Sequence, residues 1–393
     1  MDYDIIIIGA GPAGLSFARA MADTDLKIVL IEKQPESVLE DPAYDGREIA
    51  LTHLSQKIMR ELGMLDHIDD DHISLIKTAK VMDGKSPYAL AFDHEEVGEE
   101  TLGYMISNHR IRKAAYKAAK AFSNIEFLNE VEVKSLGTDD EKGWVELSEG
   151  KRLEAPLIVS ADSRFSNTRR MMGITTSMLD FGRTCIVCTM EHDLPHDDTA
   201  YECFHYDRTV AVLPLNDGHV SVVITLNSEE SASVLNMDKQ EFADDIARRI
   251  DNRFGEMKLS SELFPYPLVS TLAKKFYANR FAVIGDAAVG MHPVTAHGFN
   301  LGLRGAYILA KELKPIVRSG ASFNPQRALA QYSRKHRRHC LPLYHGTNTI
   351  VRLYSNKDMR TAKFARSALL RLGNRIKPAK RLIMNQLTEV KEI

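Results

Sequence analysis

Residues 5–14, IIIIGAGPAG, restrict this chain more than any other stretch. Ile5–Ile8 is an all-β-branched run, the pattern of a strand buried on both faces of a parallel sheet. The turn that follows, Gly9-Ala10-Gly11-Pro12-Ala13-Gly14, has the G-x-G-x-x-G spacing. In such a turn Gly9 permits the tight reversal and Gly11 lets the backbone approach a pyrophosphate. Gly14 lets the next helix pack closely on the strand. Leu15, Phe17, Ala18, Met21 and Ala22 continue in a helical pattern, Lys27–Ile31 reads as a second strand, and Glu32 closes it. A carboxylate at that distance accepts hydrogen bonds from ribose hydroxyls. Strand, helix and acid together predict a βαβ unit that holds an adenine dinucleotide. A site starting at residue 9 also argues against a signal or transit peptide.

The chain has 393 residues and a formal net charge of −2, enough length for two lobes and no charge bias towards nucleic acid. No apolar run approaches the ~20 residues that span a bilayer. The four cysteines, Cys185, Cys188, Cys203 and Cys340, are too scattered for a disulfide framework. Cys185-x-x-Cys188 has no second ligand pair at a usual spacing, so no metal site is expected. A reducing cytoplasm fits this composition.

Beyond Glu32, residues 34–46 are polar and turn-rich. Leu51, Leu54, Ile58, Met59 and Leu62 then follow amphipathic-helix spacing, with Gly63 in C-cap position. Residues 74–106 alternate as strands around an acidic loop, and Ser107-Asn108 can cap a helix over 109–122. Further strands are expected at 124–133, 143–147 and 152–159. From Thr184 to Asn227 the chain reads as continuous antiparallel β material, with a hairpin at Asn216-Asp217-Gly218. A helix over 238–254 and a strand over 263–272 follow.

Phe281–Ile284 is again a buried-strand pattern, and Gly285-Asp286 stands at its C-terminal end, where open α/β sheets bind ligands. Asp286 can bind ribityl or ribose hydroxyls, or cap a helix. Gly298–Gly302 opens an apolar helix through Leu313, whose first amides can stabilise negative charge. His292 and His297 read first as packing or positioning residues and second as acid–base groups. From Arg334 to Arg381 the chain is basic, with Asp358 its only acid. That segment suits a solvated helix face, an acidic partner or an anionic membrane surface, but carries no nucleic-acid motif.

Three stretches together resemble the flavin-dependent aromatic hydroxylases, the group A flavoprotein monooxygenases. They are GAGPAG with Glu32, LIVSADSRFSNTRR (157–170) and RFAVIGDAAVGMHPVTAHGFNLGLRGA (280–306). More closely, the chain resembles the ubiquinone-biosynthesis hydroxylase branch, including its broad-specificity type. It departs from the family at Ser160 and Ser163, at Val289, and at Ala296-His297-Gly298.

The resemblance implies an α/β architecture: an FAD-binding, Rossmann-like domain of the glutathione-reductase type interleaved with an antiparallel β substrate lobe. The expected division gives residues 1–75, 105–180 and 275–330 to FAD, 76–104 and 181–274 to the lobe, and 331–393 to a basic helical segment. It assigns FAD contacts to Gly9, Gly11, Pro12, Ala13, Gly14, Glu32, Lys33, Arg47, Arg112, Val133, Asp162, Gly285, Asp286, Gly298 and Asn300. Arg169 falls on a further family position. Arg47, Pro293, Gly298, Phe299 and Asn300 are implied at the reaction centre. The implied activity is hydroxylation of a polyprenylated phenol through a flavin C(4a)-hydroperoxide, with O2 as co-substrate and NADPH or NADH as reductant. Alternatives are a soluble phenolic substrate, or a non-catalytic flavin-bound assembly subunit docked on other ubiquinone-biosynthesis proteins. The implied location is cytoplasmic, with peripheral attachment to the inner face of the membrane through the basic segment.

Overall fold

The Ile5–Ile8 strand lies at the centre of a parallel sheet, paired with Ile28–Ile31 on one side and Leu157–Ser160 on the other. The computed structural model describes residues 1–83, 89–96, 98–205, 208–292, 297–318 and 323–355, with Lys380, Met384, Asn385, Thr388 and Glu389. Among these residues the sheet has six strands: Ile125–Leu128 extends one edge, and Phe281–Val283 and Tyr277–Ala278 extend the other. Ile5, Ile6 and Ile7 are fully buried, as a strand covered on both faces requires. The helix Pro12–Met21 turns Leu15, Phe17, Ala18 and Met21 into that core, as its spacing predicts.

The amphipathic stretch forms the helix His53–Glu61, with Thr52 accepting from the Ser55 amide and Gly63 at φ +68° just beyond the end. Ser107 does stand at the N-cap of Asn108–Lys120, yet it makes no cap bond. Its hydroxyl turns instead to the Glu48 carboxylate, at 2.7 and 2.8 Å. The run expected as one strand over 152–159 is two, Arg152–Ala155 and Leu157–Ser160, in different sheets. Pro156 lies between them and has no N–H to continue a ladder.

Among the described residues the long strand Thr176–His192 anchors a nine-stranded sheet with Thr199–Phe204, Thr209–Pro214, His219–Asn227, Met257–Leu259, Phe264–Ala273 and Val289–Gly290, joined by Thr78–Asp83 and Ala89–Asp93. Asp217 and Gly218 both have positive φ, the geometry of a tight hairpin turn. One face of this sheet packs Ile186, Cys188, Val220, Val222 and Ile224 against Phe242 and Ile246 of the helix Lys239–Arg249. A three-stranded sheet of Glu48–Leu51, Gly103–Ser107 and Ser74–Ile76 stands between the parallel sheet and this lobe. The helices His297–Arg318 and Gln326–Ser355 follow. All four cysteines are buried and free.

Candidate flavin site

The glycine turn is closed by protein on two sides and open on the third. A Cβ on Gly9 would lie 2.6 Å from the Ala161 carbonyl oxygen, and one on Gly14 would lie 2.0 Å from the Gly9 oxygen. A Cβ on Gly11 would meet nothing within 4 Å. Gly11 is also the N-cap of Pro12–Met21, with no side-chain cap and no acid in the first turn. The first amides of that helix therefore face the open side, which suits a pyrophosphate. Glu32 accepts from the Ala10 amide at 2.7 Å and from the Gln34 amide at 3.0 Å. Each carboxylate oxygen keeps a lone pair for a ribose hydroxyl. Lys33 is exposed just beyond it.

The third motif packs onto this turn. Gly285 has φ +58°, and a Cβ there would fall 2.7 Å from that of Ala13; Gly302 faces Gly285 across the same seam. Asp286 is thereby held at the cleft, where it accepts from Nε and Nη2 of Arg164 at 3.2 and 3.0 Å. Arg164 also donates to the Val269 carbonyl at 2.9 Å. Arg47 enters from the other wall, hydrogen-bonded to Asp45 and 5.3 Å from the Tyr266 ring centroid. Burial opposes the Arg47 charge, but Asp45 outweighs it and holds the pKa up, with Asp286 adding to the field. Burial lowers the Arg112 pKa, and Asp45, Arg47 and Glu32 all act on it. Glu32, Arg47, Arg112 and Asp286 thus share one electrostatic neighbourhood.

Other expected residues have structural partners. Asp162 accepts from Ser160 and from the amide and hydroxyl of Thr168. Arg169 is buried and donates to the Ala287 and Arg164 carbonyls, tying the second motif to the third. Asn300 donates to the Ala50 carbonyl at 2.8 Å and accepts from the Thr52 amide at 3.2 Å, clasping helix His297–Arg318 to the three-stranded sheet. Phe299 and Val133 pack at the edge of the main core. A Cβ on Gly298 would meet open space. Pro293 lies outside the described residues, as do most of the expected basic positions beyond Ser355. His292 is buried against the edge of Phe181, and burial beside Arg183 pushes its pKa down to about 4, so it is neutral at pH 7.

An apolar cavity of about 140 Å³ opens beside the start of His297–Arg318. Its walls include Ala50, Phe92, Ala200, His297 and Asn300, and Met384 and Thr388 close it. A polar recess of about 360 Å³ follows along the same face of the three-stranded sheet, lined by Glu48, Ser107 and His109 among others. Burial pushes the Glu48 carboxyl up to about 7, against the lowering effect of Ser107. Thr52 on the cavity wall donates its hydroxyl to Glu389 at 2.8 Å, and Glu389 forms a buried ion pair with Arg304. Arg164, Arg304 and Glu389 were not anticipated. Arg304 carried a signal, a charge on the apolar run of a helix; Arg164 lies inside the second motif, between Asp162 and Arg169.

A glycine turn at the carboxyl ends of a parallel sheet, an acid on the second strand and an interleaved β lobe define a flavin-dependent oxidoreductase fold. The chain belongs to the family described as FAD binding domain, whose model matches residues 2–342. It is 49% identical over 392 residues to the ubiquinone hydroxylase UbiM of Neisseria meningitidis, covering 99% of this chain and 85% of that protein. It is 31% identical over 381 residues to the ubiquinone hydroxylase UbiL of Rhodospirillum rubrum, covering 97% of this chain and 88% of that one. Among solved structures, p-nitrophenol 4-monooxygenase PnpA from Pseudomonas putida superposes with a TM-score of 0.78 at 18% identity, over 99% of both chains. That last likeness is one of fold.

Proposed function

We propose that this protein is a ubiquinone-pathway hydroxylase, an FAD-dependent monooxygenase that inserts one oxygen atom into the aromatic ring of a polyprenylated phenol. The identity with UbiM over nearly the whole chain carries this reading. The apolar cavity supports it, because it can take an aromatic ring and adjoins the helix start where the flavin ring would face. FAD, when bound, supplies the activation of O2, with NADH or NADPH as the electron source. The division into an interrupted FAD domain, a β lobe over 76–104 and 181–274 and a basic segment from 331 is part of the same proposal.

The chain's own residues bind, orient and exclude water. Gly9, Gly11, Pro12, Ala13 and Gly14 hold the pyrophosphate, Glu32 the ribose, and Lys33, Arg112 and Val133 border the adenosine half. Asp286, with Gly285, binds the ribityl chain, and Asp162 shapes the wall behind it. Arg47 and the Gly298, Phe299 and Asn300 amides face the ring system, where fixed dipoles stabilise negative charge. The β lobe covers the ring and keeps water from the reacting centre.

Asp286→Ala is expected to strip FAD from the purified protein; a fully flavinated and active variant would show the assignment at that position to be wrong. The function itself is tested by mass spectrometry of quinone precursors in a strain lacking this protein. A stalled, under-hydroxylated polyprenyl-phenol is the expected result, and its structure names the ring position. An unchanged quinone pool would move the substrate to a soluble aromatic. Among the described residues no helix is long and apolar enough to cross a membrane. A prenyl tail would then reach the site from a membrane surface, to which the basic segment attaches the protein peripherally.

A further inference from the structure

The strand Thr199–Phe204 sends alternate side chains to opposite faces. Tyr201 meets the Phe254 ring at 5.7 Å and Cys203 joins the core under helix Lys239–Arg249, so both point away from the flavin domain. Ala200 points the other way and lines the apolar cavity. Glu202 shares that face, two residues further on, about 6.6 Å along the strand. Its sheet neighbours are Val81 on one side and Ala211 on the other, continued by Val223 and Val187. The row is apolar except for this carboxyl.

Asp45, Asp286 and Glu389 in the same region all have cationic partners. Glu202 has no hydrogen bond or ion pair among the described residues, and burial alone pushes its carboxyl up to about 8. The titratable groups that feel it are the thiols of Cys185 on the neighbouring inner face and Cys203 on its own strand, both raised to about 12 by burial and so neutral. Glu202 is half-buried, and a lone acid on an otherwise apolar strand face costs stability and is retained where a ligand completes it.

We propose that Glu202 recognises the ring hydroxyl of the phenolic substrate, accepting its hydrogen bond from the strand face that continues beyond Ala200 at the edge of the apolar cavity, and making the site selective for phenols over their ethers. This rests on the hydroxylase reading above. The acid holds its proton to a higher pH in the folded chain than in the unfolded one, so its cost grows as pH rises from about 4.5 to about 8. Ionised, it is the stronger acceptor, so phenol affinity rises as pH passes through that upper value.

The test uses the FAD-loaded full chain as wild type, Glu202→Gln and Glu202→Leu, titrated with 2-prenylphenol and its methyl ether while flavin absorbance is followed. Wild type is expected to prefer the phenol about tenfold or more, with the preference rising from about pH 7 to about pH 9. Glu202→Gln keeps part of the preference and loses its pH dependence. Glu202→Leu binds both probes alike and melts about 2 °C higher, most of all at alkaline pH. A Leu variant that keeps the phenol preference, or that melts lower, overturns the assignment while wild-type hydroxylation of the phenol leaves the function standing. A wild type that neither binds nor hydroxylates phenols overturns both.

Discussion

Gly14→Ala is expected to purify without flavin and to lose about 3 kcal/mol of stability, the upper end for overpacking. The added carbon would sit 2.0 Å from the Gly9 oxygen and 3.2 Å from the Ala161 Cβ. The first contact is with backbone, so the helix Pro12–Met21 must move off the sheet to admit it. Gly11→Ala separates the two effects. Its Cβ meets no protein atom within 4 Å, and its φ of −72° suits any residue. This second variant is expected to fold as stably as the wild-type apoprotein and still fail to retain FAD, because the methyl enters the space the pyrophosphate needs. Flavin absorbance and thermal melts of both variants decide the matter. A Gly11→Ala protein that retains its flavin would show that the open side of the turn is not the phosphate side.

The second large effect is expected from Glu389→Ala. Arg304 and Glu389 are both nearly fully buried, and Arg304 also meets His339 Nδ1 at 3.0 Å. Removing the carboxylate leaves a buried guanidinium without its counter-charge and the Thr52 hydroxyl without that acceptor, a loss of about 3–5 kcal/mol. Urea denaturation measures it. Replacing both partners together, Arg304→Met with Glu389→Leu, is expected to recover most of the loss, since a buried pair adds little over apolar packing. If the double variant is as unstable as the single one, the pair is valued for more than its own charges.

The features readable from sequence were those whose causes are local. The Ile5–Ile8 run, the glycine turn, Glu32 and the cap of His53–Glu61 are each decided within about one supersecondary unit. The strand Thr176–His192 begins ahead of Thr184, where the apolar run becomes continuous, because residues 176–180 pair with 269–273. Its start is decided by a partner far along the chain. Ser107 is a good N-cap by type, but the Glu48 carboxyl on the adjacent strand accepts from its hydroxyl through both oxygens, and that long-range bond wins. In the candidate site, Asp286 was legible as an acid at a strand end, while its pairing with Arg164 spans 122 positions. Thr52 and Glu389 are 337 positions apart. Glu202 was hidden by its own context, since one acid in a strand of mixed character looks like an outward-facing residue until the face it shares with Ala200 is known.

The order of strands has a temporal consequence. Ile5–Ile8 is made first, yet its neighbour Leu157–Ser160 comes much later, and that strand's partner Phe281–Val283 later still. Ala161 against Gly9 and Gly302 behind Ala13 follow the same schedule. At ~5–20 residues per second, the interval between synthesis of Gly14 and of Gly302 is on the order of 15–60 s. Until Ala161 is made the turn lacks both walls and Ile5–Ile8 has one edge unpaired; from then until Gly302 the wall behind Ala13 is still missing and Leu157–Ser160 is the strand with a free edge. Capture of the cofactor is therefore a late event, and the apolar edge exposed during synthesis passes from Ile5–Ile8 to Leu157–Ser160 until the third motif has left the ribosome.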